Sequence, residues 1–184
     1  MRWVAPVPHW LGEDSARASL PNPIRQVTPQ CGFFIAEVPI NSERALWTSD
    51  PKQLPPDAGG LDTTWFVCGF DEAEHLCELL SELEGERLEV PTADQWEMAA
   101  RGPDGRRYSW GNSLREGGYL QPSPWLVKNV AGQVCEWTRD RDNKGRHIVC
   151  GGLKSPVCAR REAVEEDDHG AQCAVRPVMM WAGR

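Results

Sequence analysis

The stretch LEVPTADQWEMAARGPDGRRYSWGN, residues 88–112, decides how the chain folds. Pro91 holds the residue before it extended, so a helix begins after it. Thr92 followed by Gln95 three positions later is a capping box, in which each side chain reaches the other residue's backbone N–H. Trp96, Ala99 and Ala100 recur at helical spacing and predict one apolar face. Gly102, Pro103 and Gly105 stop the helix. Tyr108, Ser109 and Trp110 then run into a Gly111-Asn112 turn. The pattern predicts a helix over 92–101 closed by a tight aromatic loop.

Upstream, DEAEHLCELLSELE at 71–84 predicts a second helix. Asp71 is its expected N-cap, and Glu72 and Glu74 suit the positive helix start. Ala73, Leu76, Cys77, Leu80 and Leu83 form an apolar stripe, and Gly85 ends it. His75 lies off the stripe among carboxylates and reads as solvated. TTWFV at 63–67 reads as a buried strand. Residues 1–60 are rich in proline, with short strands expected around Trp10-Leu11-Gly12, Pro23 to Val27 and FFIAEVPI at 33–40.

A chain of 184 residues is long enough for one domain with its own core, spanning 1–184. No window has the apolar run needed to cross a bilayer. MRWVAPVPHWLGEDS places prolines where a signal peptide needs an apolar core, so a cytoplasmic location is expected. A net charge of -7 argues against a nucleic-acid partner, and Arg106-Arg107 and Arg160-Arg161 are too short to reverse that. Seven cysteines, Cys31, Cys68, Cys77, Cys135, Cys150, Cys158 and Cys173, make an odd set with no CxxC. That spacing fits neither a disulfide framework nor a zinc site and predicts small buried apolar side chains.

The 88–112 stretch resembles the signature of the formylglycine-generating enzyme (sulfatase-modifying factor) family, through Leu88, Pro91, Thr92, Trp96, Glu97, Ala99, Ala100, Arg101, Gly102, Trp110, Gly111 and Asn112. The resemblance implies an α+β fold of the C-type lectin-like kind, with two main helices, short strands and much irregular loop. A helix carrying aromatics, usual in the family after the first strands, looks short or degraded here, where SERALWTSDPKQLPPDAGG stands.

NVAGQVCEWTRD at 129–140 resembles the family turn N-x-x-G-N-V-W-E-W-x-x-D, with Gln133 and Cys135 departing from it. In the family this turn holds calcium. The resemblance implies Ca2+ ligation by the side chains of Asn129 and Glu136 and the backbone carbonyls of Gly132 and Val134, a donor set that suits the ion. The competing reading is that Asn129 and Glu136 hydrogen-bond the loop itself.

Gly151-Gly152 and Ala174-Val175-Arg176-Pro177-Val178 resemble the family's RGG and GFRPV landmarks. Catalytic members carry between them two cysteines, four residues apart, that bind copper and activate oxygen. Soft thiolates suit Cu(I). This chain has Cys158 alone in the key interval, so no copper is expected and formylglycine-generating activity is not. No His-x-x-x-His-x-Glu iron motif, phosphate-binding glycine loop or Ser-His-Asp set occurs either.

The expected function is a non-catalytic binding module whose partner is another protein. Two versions fit: a sensor or accessory part of a bacterial signalling or conflict system, and a retroelement-diversified binder. A copper-dependent oxidase with displaced cysteines and a purely structural subunit are the alternatives. The partner surface is expected on Leu153 to Cys173, centred on Arg160, Arg161, Glu165, Glu166, Asp167, Asp168 and His169. Two arginines followed by carboxylates present both signs of charge, which favours a specific protein over a uniform polyanion.

Overall fold

The computed structural model describes residues 1–13, 20–42, 44–45, 65–114, 118, 121–130, 134–152, 156–165 and 173–181. The strands are β1 (Arg2–Val4), β2 (His9–Leu11), β3 (Arg25–Val27), β4 (Phe33–Ile35), β5 (Cys135–Arg141), β6 (His147–Gly151), β7 (Arg161–Val164), β8 (Cys173–Ala174) and β9 (Val178–Met180). Helices α1 (Phe70–Glu84) and α2 (Ala93–Arg101) lie between β4 and β5, and Ser42, Arg44 and Ala45 ahead of them are helical.

β1 and β9 both pair antiparallel with β4, so the first and last strands share one sheet. β2 and β3 form a separate antiparallel pair. The third sheet runs β7-β6-β5-β8, antiparallel except for the parallel β5–β8 step.

Alternation along that third sheet sorts the core into two sides. Trp137, Val149 and Cys173 face the stripe of α1, formed by Phe70, Ala73, Leu76, Cys77 and Leu80. Cys150, the residue after Val149, joins Trp96, Ala99 and Ala100 of α2 on the opposite side, together with Val4, Phe33, Ile35 and Cys158. Trp137 closes its side by donating its indole N–H to the carbonyl of Cys68 at 2.8 Å.

α2 starts as its sequence requires. Thr92 Oγ1 accepts from Gln95 N at 3.1 Å and Gln95 Oε1 accepts from Thr92 N at 2.8 Å. Gly102, at φ 76°, takes up the conformation that lets the chain leave the helix.

Four expectations need correction. The N-cap of α1 is Gly69 rather than Asp71, with Glu72 reaching back to the Gly69 N–H at 2.9 Å. Leu83 is exposed, because the stripe turns away from the core in the last turn. FFIAEVPI is strand only over Phe33–Ile35, because the chain bends at Glu37 and Val38. Trp65 and Val67 make isolated bridges, to Asn41 and Ala174, rather than a strand. Thr63 and Thr64, and Glu43 and residues 46–60 of the stretch expected to carry a short helix, lie outside the described residues.

Candidate functional site

Glu136 comes from β5 and Arg176 from the loop between β8 and β9, and both are fully buried. Arg176 Nε donates to Glu136 Oε2 at 2.8 Å and Nη2 to Oε1 at 2.8 Å, a two-pronged ion pair. The indole N–H of Trp96 adds a third bond to Oε2 at 2.8 Å. Arg176 also donates to the carbonyls of Ala36, Glu37, Lys128 and Asn129. One guanidinium therefore pins the β4 exit, the 128–129 turn and β5 to each other.

This geometry bears on the calcium expectation. Both oxygens of Glu136 already accept from buried donors, and a guanidinium sits where a divalent cation would have to approach. Glu136 does not fit the role of calcium ligand in this arrangement, because the ion would have to displace a buried cation. Asn129 adopts φ 54°, the left-handed turn conformation, and its carbonyl is taken by Arg176. Val134 points its carbonyl towards Gly151, 3.3 Å from where a Cβ would stand there. Gly132 lies outside the described residues.

A second buried cluster centres on Glu97 of α2. Its Oε1 accepts from Gly12 N at 2.6 Å and Arg101 Nη1 at 2.9 Å. Its Oε2 accepts from Asn22 Nδ2 at 2.9 Å and Arg161 Nη2 at 3.1 Å. Asp94, one turn earlier, accepts from Arg161 at 2.6 Å and from Arg25 at 2.5 Å. Burial would raise the Asp94 pKa, but the bonds from Arg161 and Arg25 outweigh it and hold the carboxyl below its ordinary value. Gly12 is needed where it stands: a Cβ there would meet the Pro23 carbonyl oxygen at 2.2 Å, and its φ is +85°.

The cluster corrects the partner surface. Arg161 faces inward, its side chain only 13% exposed and bonded to Asp94 and Glu97. It is a clamp between β7 and α2, not a docking charge. Arg160 is half-buried beside Glu162, Nε to Oε1 3.2 Å, and Glu165 is exposed. Glu166, Asp167, Asp168 and His169 lie outside the described residues.

The sequence reading missed this cluster, although Glu97 and Arg101 at i,i+4 were a visible pairing signal. Asn22, Arg25, Asp94 and Arg161 carry no spacing that would have joined them.

The cysteines present do not fit copper at the family's position. Cys158 stands alone between Gly152 and Cys173, 1% exposed, with burial pushing its thiol up to about 12. Burial also raises the Cys150 thiol strongly. All seven cysteines are free thiols. The two clusters hold paired carboxylates and guanidiniums that fasten distant loops to α2 and β5.

Comparison with known proteins agrees with this architecture. The fold is similar to that of PvdO from Pseudomonas aeruginosa, at TM-score 0.78 and 14% identity over 97% of this chain and 93% of that one. It is similar to Treponema denticola variable protein 1, at TM-score 0.73 and 15% identity over 97% and 94%. CarF is also similar, at TM-score 0.74 and 14% identity over 98% and 97%. At such identities the likeness shows the fold alone. No curated protein matches the chain. The family model described as "Sulfatase-modifying factor enzyme 1-like domain" matches residues 16–121, the part that contains the 88–112 signature and stops short of 129–140 and of Cys158. That match spans more than half of the sequence, and the chain belongs to the sulfatase-modifying factor enzyme 1-like domain family.

Proposed function

We propose that this chain is a non-catalytic protein-binding module on a formylglycine-generating-enzyme-like scaffold. The supporting observation is the state of Cys158. In the interval where catalytic relatives carry a copper-binding pair, this chain offers one thiol, buried in the core, where burial pushes it up to about 12. The Glu97 and Glu136 clusters fasten distant loops of this scaffold to α2 and β5. Among the described residues no helix is long and apolar enough to cross a membrane. We place the module in the cytoplasm, where free thiols persist, as a sensor or accessory component of a bacterial signalling or conflict system. Part of the partner surface is taken to be Arg160 and Glu165 with residues 166–169.

The experiment is a copper(I) titration against a competing chelator, with oxygen consumption measured over a cysteine-containing sulfatase peptide. The expected result is no stoichiometric copper and no peptide-dependent oxygen uptake. One copper per chain, with uptake abolished by Cys158→Ser, would establish the oxidase alternative instead.

A further inference from the structure

β8 places Cys173 between two other thiols. In the parallel β5–β8 step, Cys135 is the register partner of Cys173 and Glu136 that of Ala174. On the other side Val67 bridges Ala174 antiparallel, and the Cys68 N–H donates to the Cys173 carbonyl at 3.1 Å. A bridge at 67 and 174 sets 68 opposite 173. Three cysteines therefore stand in a row across neighbouring stretches of chain. All three belong to the α1 side of the core, where Cys173 packs with Trp137 and Val175 and where Cys68 and Cys135 pack against them.

Neighbouring strands lie about 4.8 Å apart. A disulfide spans Cα atoms about 4.4–6.8 Å apart. Register partners also send their side chains to one face of the sheet. Cys135 and Cys173 meet both conditions. Cys173 is fully buried and Cys135 half-buried. Gly152 stands beside Cys135, and a Cβ there would lie 3.6 Å from Cys135 Sγ. The missing side chain leaves that sulfur open to a small reagent. Cys68 is the poorer attacker of the two neighbours. Burial, with the Glu72 carboxylate adding to it, pushes its thiol up to about 12, and the thiolate is the form that attacks.

We infer that Cys135 and Cys173 are a redox pair, which a peroxide joins into a disulfide that fastens β8 to β5. The Cys135 sulfur, as thiolate, attacks one oxygen of hydrogen peroxide. The O–O bond breaks, and the hydroxide that leaves takes up a proton as water. The Cys173 sulfur then attacks the sulfenic sulfur of Cys135, losing its proton as the S–S bond forms and a second water leaves. Two thiols give up two electrons and two protons, and one peroxide becomes two waters. In a reducing compartment such a bond is transient. β8 is only two residues long, Cys173 and Ala174. It follows residues 166–169 of the proposed partner surface, so oxidation ties the end of that surface to the sheet. This consequence rests on the reading of the chain as a binding module, and the thiol chemistry does not.

The test treats the folded protein with equimolar hydrogen peroxide in the presence of a metal chelator, blocks remaining thiols by alkylation, and maps the digest by mass. A peptide linking Cys135 to Cys173 is expected, two hydrogens lighter than its reduced parts and released by dithiothreitol. Its formation raises the urea midpoint, and dithiothreitol restores the original one. Cys135→Ser, at a half-buried position where the fold is kept, abolishes the link, and Cys173→Ser does the same. Cys31→Ser leaves it unchanged. A link from Cys68 to Cys173, sulfinic acid at Cys135 without any link, or oxidation only after unfolding overturns the inference. None of these results alters copper binding or oxygen uptake, so they leave the non-catalytic reading standing. One copper per chain with peptide-dependent oxygen uptake would overturn that reading and leave the link as mapped.

Discussion

Replacing Glu136 by Gln removes one negative charge from a site with no solvent. Arg176 stays, with both side chains of the pair 0–1% exposed. The carboxylate takes three bonds, two from Arg176 and one from the Trp96 indole. A Gln side chain offers one carbonyl oxygen, and its NH2 would turn donors towards donors. The four carbonyls around Arg176 stay in place but carry no net charge. Breaking a buried ion pair at one partner costs about 3–5 kcal/mol. For a chain of this size that lowers Tm by roughly 6–20 °C. The assay is thermal and urea unfolding of wild type, Glu136→Gln, Arg176→Met and the double variant Glu136→Met with Arg176→Met, each with chelator and with millimolar calcium. The double variant, which leaves no lone charge, is expected to unfold well above either single one. A Glu136→Gln loss below about 1 kcal/mol would refute the ion-pair reading, since that is the range of an exposed pair. A loss seen only in calcium would restore the carboxylate as an ion ligand and refute the argument from geometry.

Three further outcomes are expected. Trp137→Ala, which empties a core position beside Phe70 and His147, costs roughly 3–5 kcal/mol in urea unfolding; a variant of wild-type stability would place the ring outside the core. Asp94 has a lowered folded-state pKa, so its contribution is present above the unfolded value of about 3.9 and fades as pH falls through the lower folded value; Asp94→Asn should flatten that acid limb, and an unchanged pH profile of stability would show that the arginines do not hold the carboxylate. A thiol-specific chromogenic disulfide should label half-buried Cys31 in the native protein while Cys150 and Cys158 react only on unfolding, as mass mapping would show; early labelling of Cys158 would remove the main support for a non-catalytic reading.

Much of the fold was legible because its strongest signals are local. Thr92 and Gln95 cap each other across three residues, and Gly102 ends α2 where no side chain would follow easily. Both helices follow from such short-range chemistry and from the 3.6-residue repeat of their apolar positions. The N-cap of α1 was misplaced for a physical reason: Asp71 suits a cap by residue type, but Phe70 is wanted in the core and draws the helix back to Gly69. The strands were less legible, since three-residue pieces such as Arg2–Val4 and Phe33–Ile35 find partners far away in sequence. Arg161 shows the same limit at the site. Beside Arg160 and ahead of a carboxylate run it reads as surface charge, and only the fold brings it to Asp94 and Glu97, 67 and 64 residues away.

The same physics explains why recognising the family settles the scaffold and leaves the chemistry open. Trp96, Glu97, Arg101, Glu136 and Arg176 all fall in stretches that resemble the family, and each is buried in a clamp that joins distant loops to α2 or β5. Removing one member strands a charge in the core, so such residues cannot drift singly without loss of the fold. A thiol pair between Gly152 and Cys173 is under no such constraint. It contributes to catalysis and little to folding, and a buried thiol packs as a small apolar group, as Cys158 does against the α2 side of the core. A relative can therefore shed the copper chemistry at small cost in stability while keeping its signature. The signature therefore identifies the scaffold and does not specify the surfaces that the clamps hold in place.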